Sequence, residues 1–142
     1  MTFPFEQAGY RHVLLARAGR WCVVERTWIE DGGPHLPHIE VVRLDQIREK
    51  RWADGRRTPA HEAYPAPSRW GTTAWSEPTL RHARTRWETL RATSRGRDLP
   101  SWKALGIPDD EEGYRAWKAG RLPRLQPSVR NSDTVECIAS PP

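Results

Sequence analysis

The sequence RHVLLARAGRWCVVERTWI, residues 11–29, predicts a β-hairpin. Residues 12–16 form its first strand, and the turn lies at Gly19, because glycine accepts the positive φ that a tight turn needs. Residues 21–29 form its second strand, which is rich in β-branched and aromatic side chains. After a break marked by glycine and proline, residues 38–44 form a third strand. We therefore expect a three-stranded antiparallel meander.

Both faces of the second strand carry apolar side chains. Its odd-numbered residues, from Trp21 to Ile29, share one face, and its even-numbered residues, from Cys22 to Trp28, share the other. Because neither face is cleanly polar, we expect a central strand with a helix on one face and a partial cover on the other. Glu25 and Arg26 are then expected at the rim or in pairs across strands.

Residues 78–93 predict the main helix. Pro78 suits the first turn of a helix, and Ser76 or Glu77 can cap it. Gly96 is expected to end it. Apolar residues recur along it at steps of three and four and form a narrow stripe that would pack across the sheet: Leu80, Ala83, Trp87 and Leu90.

Three segments between the meander and the main helix also carry signals. Asp45 can cap a short helix over residues 46–52. Residues 54–69 form a long proline-rich loop, and loops of this length are uncommon and often functional. Residues 69–75 predict a fourth strand, weakened by its glycine.

The region after the main helix contains two short helices. Ser101 can cap a single turn that carries Trp102 and Leu105. The acidic residues 109–112 favour the start of a second helix through the helix dipole, and Gly120 is expected to end it.

The predicted fold class is α+β: a small antiparallel sheet of three to four strands packed against one main helix, with short C-terminal helices and a flexible tail. Residues 1–125 form the single domain, and residues 126–142 are the disordered tail. The chain has 8 tryptophans. Most should meet around Trp87 in the core, and those left at the surface would mark a binding site.

The chain is basic and polar. Its formal charge is +5, its pI is about 9.8 and its mean hydropathy is −0.81. Nearly all of its 23 cationic residues are arginines, which bind phosphate with a planar guanidinium and stack on aromatic rings. The charge indicates attraction to polyanions. A genomic bias toward arginine codons would give the same composition.

Several classes of protein are disfavoured. No apolar run approaches the roughly 20 residues of a membrane helix, and no secretory signal opens the chain, so we expect a cytoplasmic protein. Cys22 and Cys137 are expected to be reduced. The pair His35 and His38 lacks a third ligand at a usual spacing, so no metal is predicted.

No catalytic or cofactor-binding motif is present, so we predict a protein that is not an enzyme and has no cofactor. His61 and Glu62 are adjacent and suggest an acid–base pair, but adjacency in sequence does not establish catalytic geometry. A site assembled from distant residues stays an open alternative there.

The first candidate binding surface lies on one flank of the main helix. Glu88 lies within it and can pair with Arg84 or Arg91, which favours an ordinary solvated face as the alternative. The helix arginines would otherwise form a cationic ridge that follows a phosphate backbone: Arg81, Arg84, Arg91 and Arg95.

The second candidate surface is the loop at residues 54–69. Arg56, Arg57 and Arg69 would hold phosphates, while Tyr64 or the nearby Trp52 would stack a base. The alternative is a surface loop with incidental arginines.

The sequence thus predicts a non-enzymatic basic binding protein that contacts nucleic acid through these two surfaces. Tryptophan, tyrosine and arginine are also the residues of protein interface hot spots. The alternative is therefore a small protein-binding inhibitor or accessory factor of a bacterial mobile element or phage, of the anti-defence type, acting on nucleic-acid machinery. Neither function is expected to involve a membrane, and the oligomeric state is left open.

One short resemblance to a known family is present. Trp70-Gly71, followed by a helix with Ala83, Trp87 and Leu90, resembles the WGR domain, which binds DNA in poly(ADP-ribose) polymerases. The resemblance covers about 25 residues of the chain and implies that Trp70 and Gly71 lie on a strand. Thr72 stands where that family has the arginine.

Overall fold

The computed structural model describes residues 1–30 and 37–125. Its main sheet has five antiparallel strands in the order β1-β2-β3-β4-β9. These strands are β1 (Phe5–Gln7), β2 (Tyr10–Ala18), β3 (Trp21–Trp28), β4 (His38–Arg43) and β9 (Ala74–Glu77). Three α-helices follow the sheet: α1 (Leu80–Arg91), α2 (Trp102–Leu105) and α3 (Glu111–Leu125). The α+β fold class is confirmed.

The hairpin at residues 11–29 forms as its sequence predicts. The turn between β2 and β3 contains Gly19 with a φ of +61°, a conformation that costs glycine little. The β2–β3 pairing shifts register between Leu14 and Ala16, which turns both Leu15 and Ala16 toward the helices. The central position of β3, between β2 and β4, agrees with its two apolar faces.

The helices cover one face of the sheet. Trp21 and Val23 of β3 pack there against Trp87 of α1 and Trp102 of α2. The Trp87 indole N–H donates to the carbonyl of Pro100 at 2.8 Å, so the ring is buried without losing a hydrogen bond. The predicted tryptophan-centred core is thus present. It uses Trp21, Trp87 and Trp102 as its buried members, with Trp75 and Trp117 packed against it.

The opposite face of the sheet has its own smaller core. Cys22 and Val24 of β3 pack there with Phe3 and Leu14, and Tyr64 lies against the cluster. The N-terminal segment is therefore the partial cover that the pattern of β3 predicts. Cys22 is buried and its thiol is free.

Two predicted strand positions are corrected by the sheet. The prediction of three to four strands missed β1, because Phe5–Gln7 is short and its pairing partner lies in β2. The fourth strand predicted at residues 69–75 occurs later, as β9. Trp70 makes only an isolated bridge to Ala74, and Gly71 between them has a φ of +91° that ends regular pairing.

The helix predicted over residues 46–52 is wrong. Two short strands occur there, β5 (Asp45–Ile47) and β6 (Lys50–Arg51). The later strands β7 (Arg57–Thr58) and β8 (His61–Ala63) return beside them, so that β6 pairs with β7 and β5 pairs with β8. The Asp45 carboxylate accepts a hydrogen bond from the amide of Ala66 instead of capping a helix. Pairing with a distant segment outweighs the local capping signal.

The helix boundaries also differ in detail. Thr79 caps α1 and accepts a hydrogen bond from the amide of His82, so neither Ser76 nor Glu77 has this role, and α1 ends at Arg91. Ser101 caps α2, as predicted. The prediction that Gly120 ends α3 is wrong, because α3 continues to Leu125.

A buried carboxylate attaches α3 to the sheet. Glu25 of β3 is 2% exposed and accepts hydrogen bonds from the Tyr114 hydroxyl at 2.6 Å and the Lys118 ammonium at 2.8 Å. Of the two positions predicted for Glu25, neither the rim nor a cross-strand pair is observed. The predicted tail, residues 126–142, lies outside the described residues. Among the helices of the described chain, none has the length and apolar character needed to cross a membrane.

Candidate nucleic-acid interface

A long two-stranded ribbon extends from the edge of the fold. Asp45 pairs with Ala63, and Arg51 pairs with Arg57, so one register runs through both halves of the ribbon. We call residues 45–63 the arm. Residues 46–61 are all exposed. The loop predicted at residues 54–69 therefore contributes the tip and returning strand of the arm, followed by a short 3₁₀ helix (Pro67–Arg69).

A compact turn closes the arm. The Trp52 amide donates to the Arg56 carbonyl at 2.9 Å, and the Gly55 amide donates to the Trp52 carbonyl at 3.0 Å. Gly55 has a φ of +89°, as in three-residue hairpin loops that end in a left-handed glycine. Asp54 accepts from the Arg56 amide at 3.0 Å, so the turn is held by side chain as well as backbone.

One face of the arm carries cations around an aromatic ring. The Lys50 ammonium lies 3.8 Å from the centroid of the Trp52 ring, and the Arg56 guanidinium lies 5.0 Å from it. Trp52 is 41% exposed. Strand alternation places Arg48 on the same face. We call Arg48, Lys50, Trp52 and Arg56 the cationic face. Within residues 1–30 and 37–125, neither Arg48 nor Lys50 pairs with a carboxylate.

The opposite face of the arm is closer to neutral. Glu49 lies between two arginines there, with its carboxylate 3.6 Å from the Arg51 guanidinium and 3.2 Å from that of Arg57. Over residues 46–61 the arm has five cationic side chains and two carboxylates. The second carboxylate, Asp54, lies 2.6 Å from the Arg56 guanidinium, so the positive charge of the cationic face that is not paired within the arm comes from its other two cations.

Ion pairs fix the root of the arm to the body of the protein. Arg17 of β2 donates to both carboxylate oxygens of Glu62, at 2.7 and 2.8 Å. Arg69 lies 3.3 Å from the carboxylate of Asp45. These contacts set the direction in which the arm leaves the sheet.

The arginines predicted as a ridge on the main helix have different environments. Arg84 pairs with Asp109 at 3.2 Å. Arg91 donates to Glu88 at 2.5 Å and to the carbonyl of Leu99 at 3.0 Å, which confirms the predicted pairing of Glu88. The remaining two ridge arginines, Arg81 and Arg95, are exposed. The prediction that Arg95 lies on the helix is wrong, because α1 ends at Arg91. Half of the ridge therefore pairs with carboxylates of the protein itself.

Tyr64 lies away from the cationic face. Its hydroxyl donates to Glu40 at 2.5 Å, and its ring packs edge-on against Phe3, Phe5 and His12. The ring belongs to the smaller core and is not part of the cationic face, so the predicted stacking role of Tyr64 is not supported. Trp52, Arg56, Arg57 and Arg69 are exposed and lie on the arm or beside it.

Buried titratable groups surround Tyr64. Glu40 is 1% exposed and lies 3.3 Å from the Arg26 guanidinium across the sheet, one of the predicted cross-strand arrangements. Burial raises the pKa of Glu40 and of Tyr64. Burial and the Arg26 charge lower the pKa of His12. Because Glu40 and His12 are both buried, this cluster offers little access to a substrate.

His61 and Glu62 do not converge. They are consecutive residues of β8 and so point to opposite faces of the arm. Glu62 is engaged by Arg17, and a His61 ring nitrogen lies 2.9 Å from the carbonyl of Pro59. Among the described residues no group of three or more His, Cys, Asp or Glu is placed to hold a metal ion; His35 lies outside them.

Sequence reasoning missed Arg48 and Lys50, because they fell inside the wrongly predicted helix. The alternation Arg48-x-Lys50-x-Trp52 at a period of two was the signal that could have identified them. It also missed Arg17, whose partner Glu62 is distant in sequence.

No protein-family model matches the chain, and no curated protein or solved structure matches it either. The resemblance to the WGR domain implies a strand at Trp70 and Gly71, but Trp70 makes only an isolated bridge and Gly71 lies in a turn. The function has to be inferred from the chemistry of the surface itself.

Proposed function

We propose that the protein is a non-enzymatic binder of double-stranded nucleic acid and that the arm makes the main contact. The observation that carries the proposal is the cationic face, on which Lys50 and Arg56 lie against the Trp52 ring and Arg48 follows at the same period of two, on an exposed two-stranded ribbon. A ribbon of this kind fits the major groove of B-DNA, which is about 12 Å wide. Lysine and arginine contribute to affinity there by releasing the counterions of the phosphates.

Duplex is favoured over single strands by the surroundings of Trp52. Its ring already has the Lys50 ammonium and the Arg56 guanidinium against it, so it organises two cations and is less open to a stacked base. Single-strand binders instead rely on free aromatic faces. The ridge of the main helix has a secondary role in this proposal, because Arg84 and Arg91 are paired with carboxylates, whereas Arg48 and Lys50 of the cationic face pair with none among the described residues.

The test compares the two faces of the arm. The double variant Arg48→Gln/Lys50→Gln alters the cationic face, and Arg51→Gln/Arg57→Gln makes the same charge change on the opposite face. Binding to a labelled duplex is measured by fluorescence anisotropy at several salt concentrations. We expect the first variant to lose about tenfold or more in affinity and to lower the salt slope by about two, and the second to lose clearly less.

Two outcomes would contradict this proposal. If the wild-type protein binds neither duplex nor single strands of DNA or RNA, the arm is not a nucleic-acid contact. A protein partner, as in an inhibitor of nucleic-acid machinery, then becomes the working model, and pull-downs with the arm variants follow. If both double variants lose affinity equally, binding depends on net charge and the cationic face has no special role.

A further inference from the structure

Four arginines from four separate segments come together where the arm joins the sheet: Arg20, Arg43, Arg69 and Arg95. Arg20 lies in the turn between β2 and β3, and its guanidinium donates to the carbonyl of Leu44 at 3.1 Å. Arg43 is the last residue of β4 and directly precedes Leu44. Arg20 and Arg43 therefore both border the first residues of the arm.

The turn at Thr72 and Thr73 connects the other two arginines to the same place. The carbonyl of Arg69 accepts from the amides of Thr72 and Thr73, both at 3.0 Å, and the Arg43 amide donates to the Thr73 carbonyl at 2.8 Å. The Arg95 guanidinium donates to the Thr72 carbonyl at 2.8 Å. These hydrogen bonds join the four segments, and the charges of the other three arginines all act on Arg43. We call these four residues the root cluster.

Among the described residues, the carboxylate seen to act on the root cluster is that of Asp45, which lies 3.3 Å from the Arg69 guanidinium. Desolvation lowers the pKa of Arg43, and repulsion from Arg20, Arg95 and Arg69 lowers it further. The Nε atom of Arg43 is buried and has no hydrogen-bond partner among the described residues. An unpaired cation among like charges is costly, and an anion from outside would relieve that cost.

We propose that the root cluster is a phosphate-binding site and that it holds a phosphate group of the bound nucleic acid. This inference rests on the proposed function above. Arginine suits the ligand, because its guanidinium donates two parallel hydrogen bonds to a phosphate. The site is distinct from the cationic face, since it draws Arg20 from the β2–β3 turn, Arg43 from β4 and Arg95 from the turn that follows α1.

An open cleft of about 460 Å³ borders the root cluster at Arg95. Thr72, Thr89 and Ser94 also line it and offer hydroxyl groups to phosphate or sugar oxygens. The arm extends roughly 20 Å from this point, given the usual rise per strand residue. If the arm lies in the major groove of a duplex, the root cluster lies beside the sugar–phosphate backbone that borders the groove.

The test uses Arg20→Gln/Arg95→Gln, because Arg43 contacts the ring of Trp21 and its replacement endangers folding, and because Arg69 pairs with Asp45 at the root of the arm. The matched control is Arg11→Gln/Arg115→Gln, which makes the same charge change at exposed positions outside the cluster. We expect the cluster variant to bind duplex about tenfold more weakly, with a salt slope lower by about two, and the control to stay within about twofold of wild type.

Duplexes with and without a 5′-phosphate identify the source of the phosphate. If the cluster variant loses the same affinity for both duplexes, the site holds an internal phosphodiester. If it loses affinity only for the phosphorylated duplex, the site holds a terminal phosphate monoester. Either result supports the site. Inorganic phosphate, added at constant ionic strength, should raise the melting temperature of wild type more than that of the cluster variant.

The proposal is overturned if the cluster variant binds both duplexes with wild-type affinity and salt slope. If the cationic-face variant loses binding in the same assay, the proposed function stands without the root cluster. If wild type binds no nucleic acid, both proposals fail together.

Discussion

The guanidinium of Arg17 on β2 donates to both carboxylate oxygens of Glu62 on β8, at 2.7 and 2.8 Å. The two residues are 45 positions apart in sequence. Both side chains are about three-quarters covered, with 22% and 24% of their surfaces exposed. The pair joins the arm to the main sheet and so sets the angle at which the cationic face is presented.

Replacement Glu62→Gln should loosen the arm with little effect on global stability. A partly exposed ion pair contributes about 1 kcal/mol or less to the free energy of unfolding, whereas local opening of the arm depends on few other contacts. We expect faster amide hydrogen exchange over residues 45–63 and unchanged exchange in the main sheet, measured by mass spectrometry.

The control for this prediction is Glu49→Gln. Among the described residues, Glu49 pairs only with Arg51 and Arg57 inside the arm. Its replacement should therefore leave amide hydrogen exchange at the root of the arm as slow as in wild type. Equal exchange at the arm root in Glu62→Gln and wild type would show that Arg17 does not hold the arm.

The second prediction concerns Arg91, which has a structural role on the main helix. It bridges the Leu99 carbonyl and Glu88, and Glu88 in turn accepts from the amide of Trp102 at 2.8 Å. Arg91→Ala should lower the free energy of unfolding by about 1–2 kcal/mol, because the two hydrogen bonds that Arg91 donates, to Leu99 and to Glu88, are lost together. Urea denaturation followed by tryptophan fluorescence measures this.

Arg81→Ala is the matched control on the same ridge. Arg81 is exposed, so its replacement should change stability by no more than about 0.5 kcal/mol. A stable Arg91→Ala protein that has lost nucleic-acid affinity would contradict the structural role and restore Arg91 to the binding surface. The ridge predicts that Arg84→Glu/Arg91→Glu weakens binding by well over tenfold. Because Arg91 is expected to stabilise the fold, that loss has to be compared at equal folded fractions.

Local sequence signals were sufficient for the meander and the main helix. In residues 11–29 the alternation, the β-branched residues and the glycine turn all indicate a hairpin. Along α1 the apolar residues and their spacing all indicate a helix. These elements form where the sequence predicts them, with boundaries shifted by a few residues. The arm was missed because its two strands stabilise each other across a turn. The cap signal at Asp45 was local and misleading.

The root cluster could not be predicted for a different reason. Arg20, Arg43, Arg69 and Arg95 come from four segments, and only the folding of the Thr72–Thr73 turn against β4 brings them together. In sequence, Arg20 and Arg43 resemble any other of the chain's many arginines. The two members that were predicted, Arg69 and Arg95, were assigned to separate surfaces.

The last prediction is a pH dependence of stability that originates at His12. This side chain is 6% exposed, stacks on Phe5 at 4.4 Å and lies 3.9 Å from Glu40. Burial, followed by the Arg26 charge, lowers its pKa below the usual 6.5. Below pH 6.5 the unfolded chain therefore binds a proton that the folded chain does not. The contribution of neutral His12 is fully present above that pH and is lost as the pH falls toward the folded pKa.

Burial raises the pKa of Glu40, so its effect on stability has the opposite sign: stability from this group falls as the pH rises from 4.5 toward its folded pKa. The variant His12→Phe removes the first effect and retains the second. The free energy of unfolding of wild type and of His12→Phe is measured with urea at pH 7.5 and at pH 5.5. The value for wild type minus the value for His12→Phe should be larger at pH 7.5 than at pH 5.5. A difference that is the same at both pH values, or a His12 pKa of 6.5 or above by NMR titration, would show that the ring is hydrated and not enclosed between Phe5 and Tyr64.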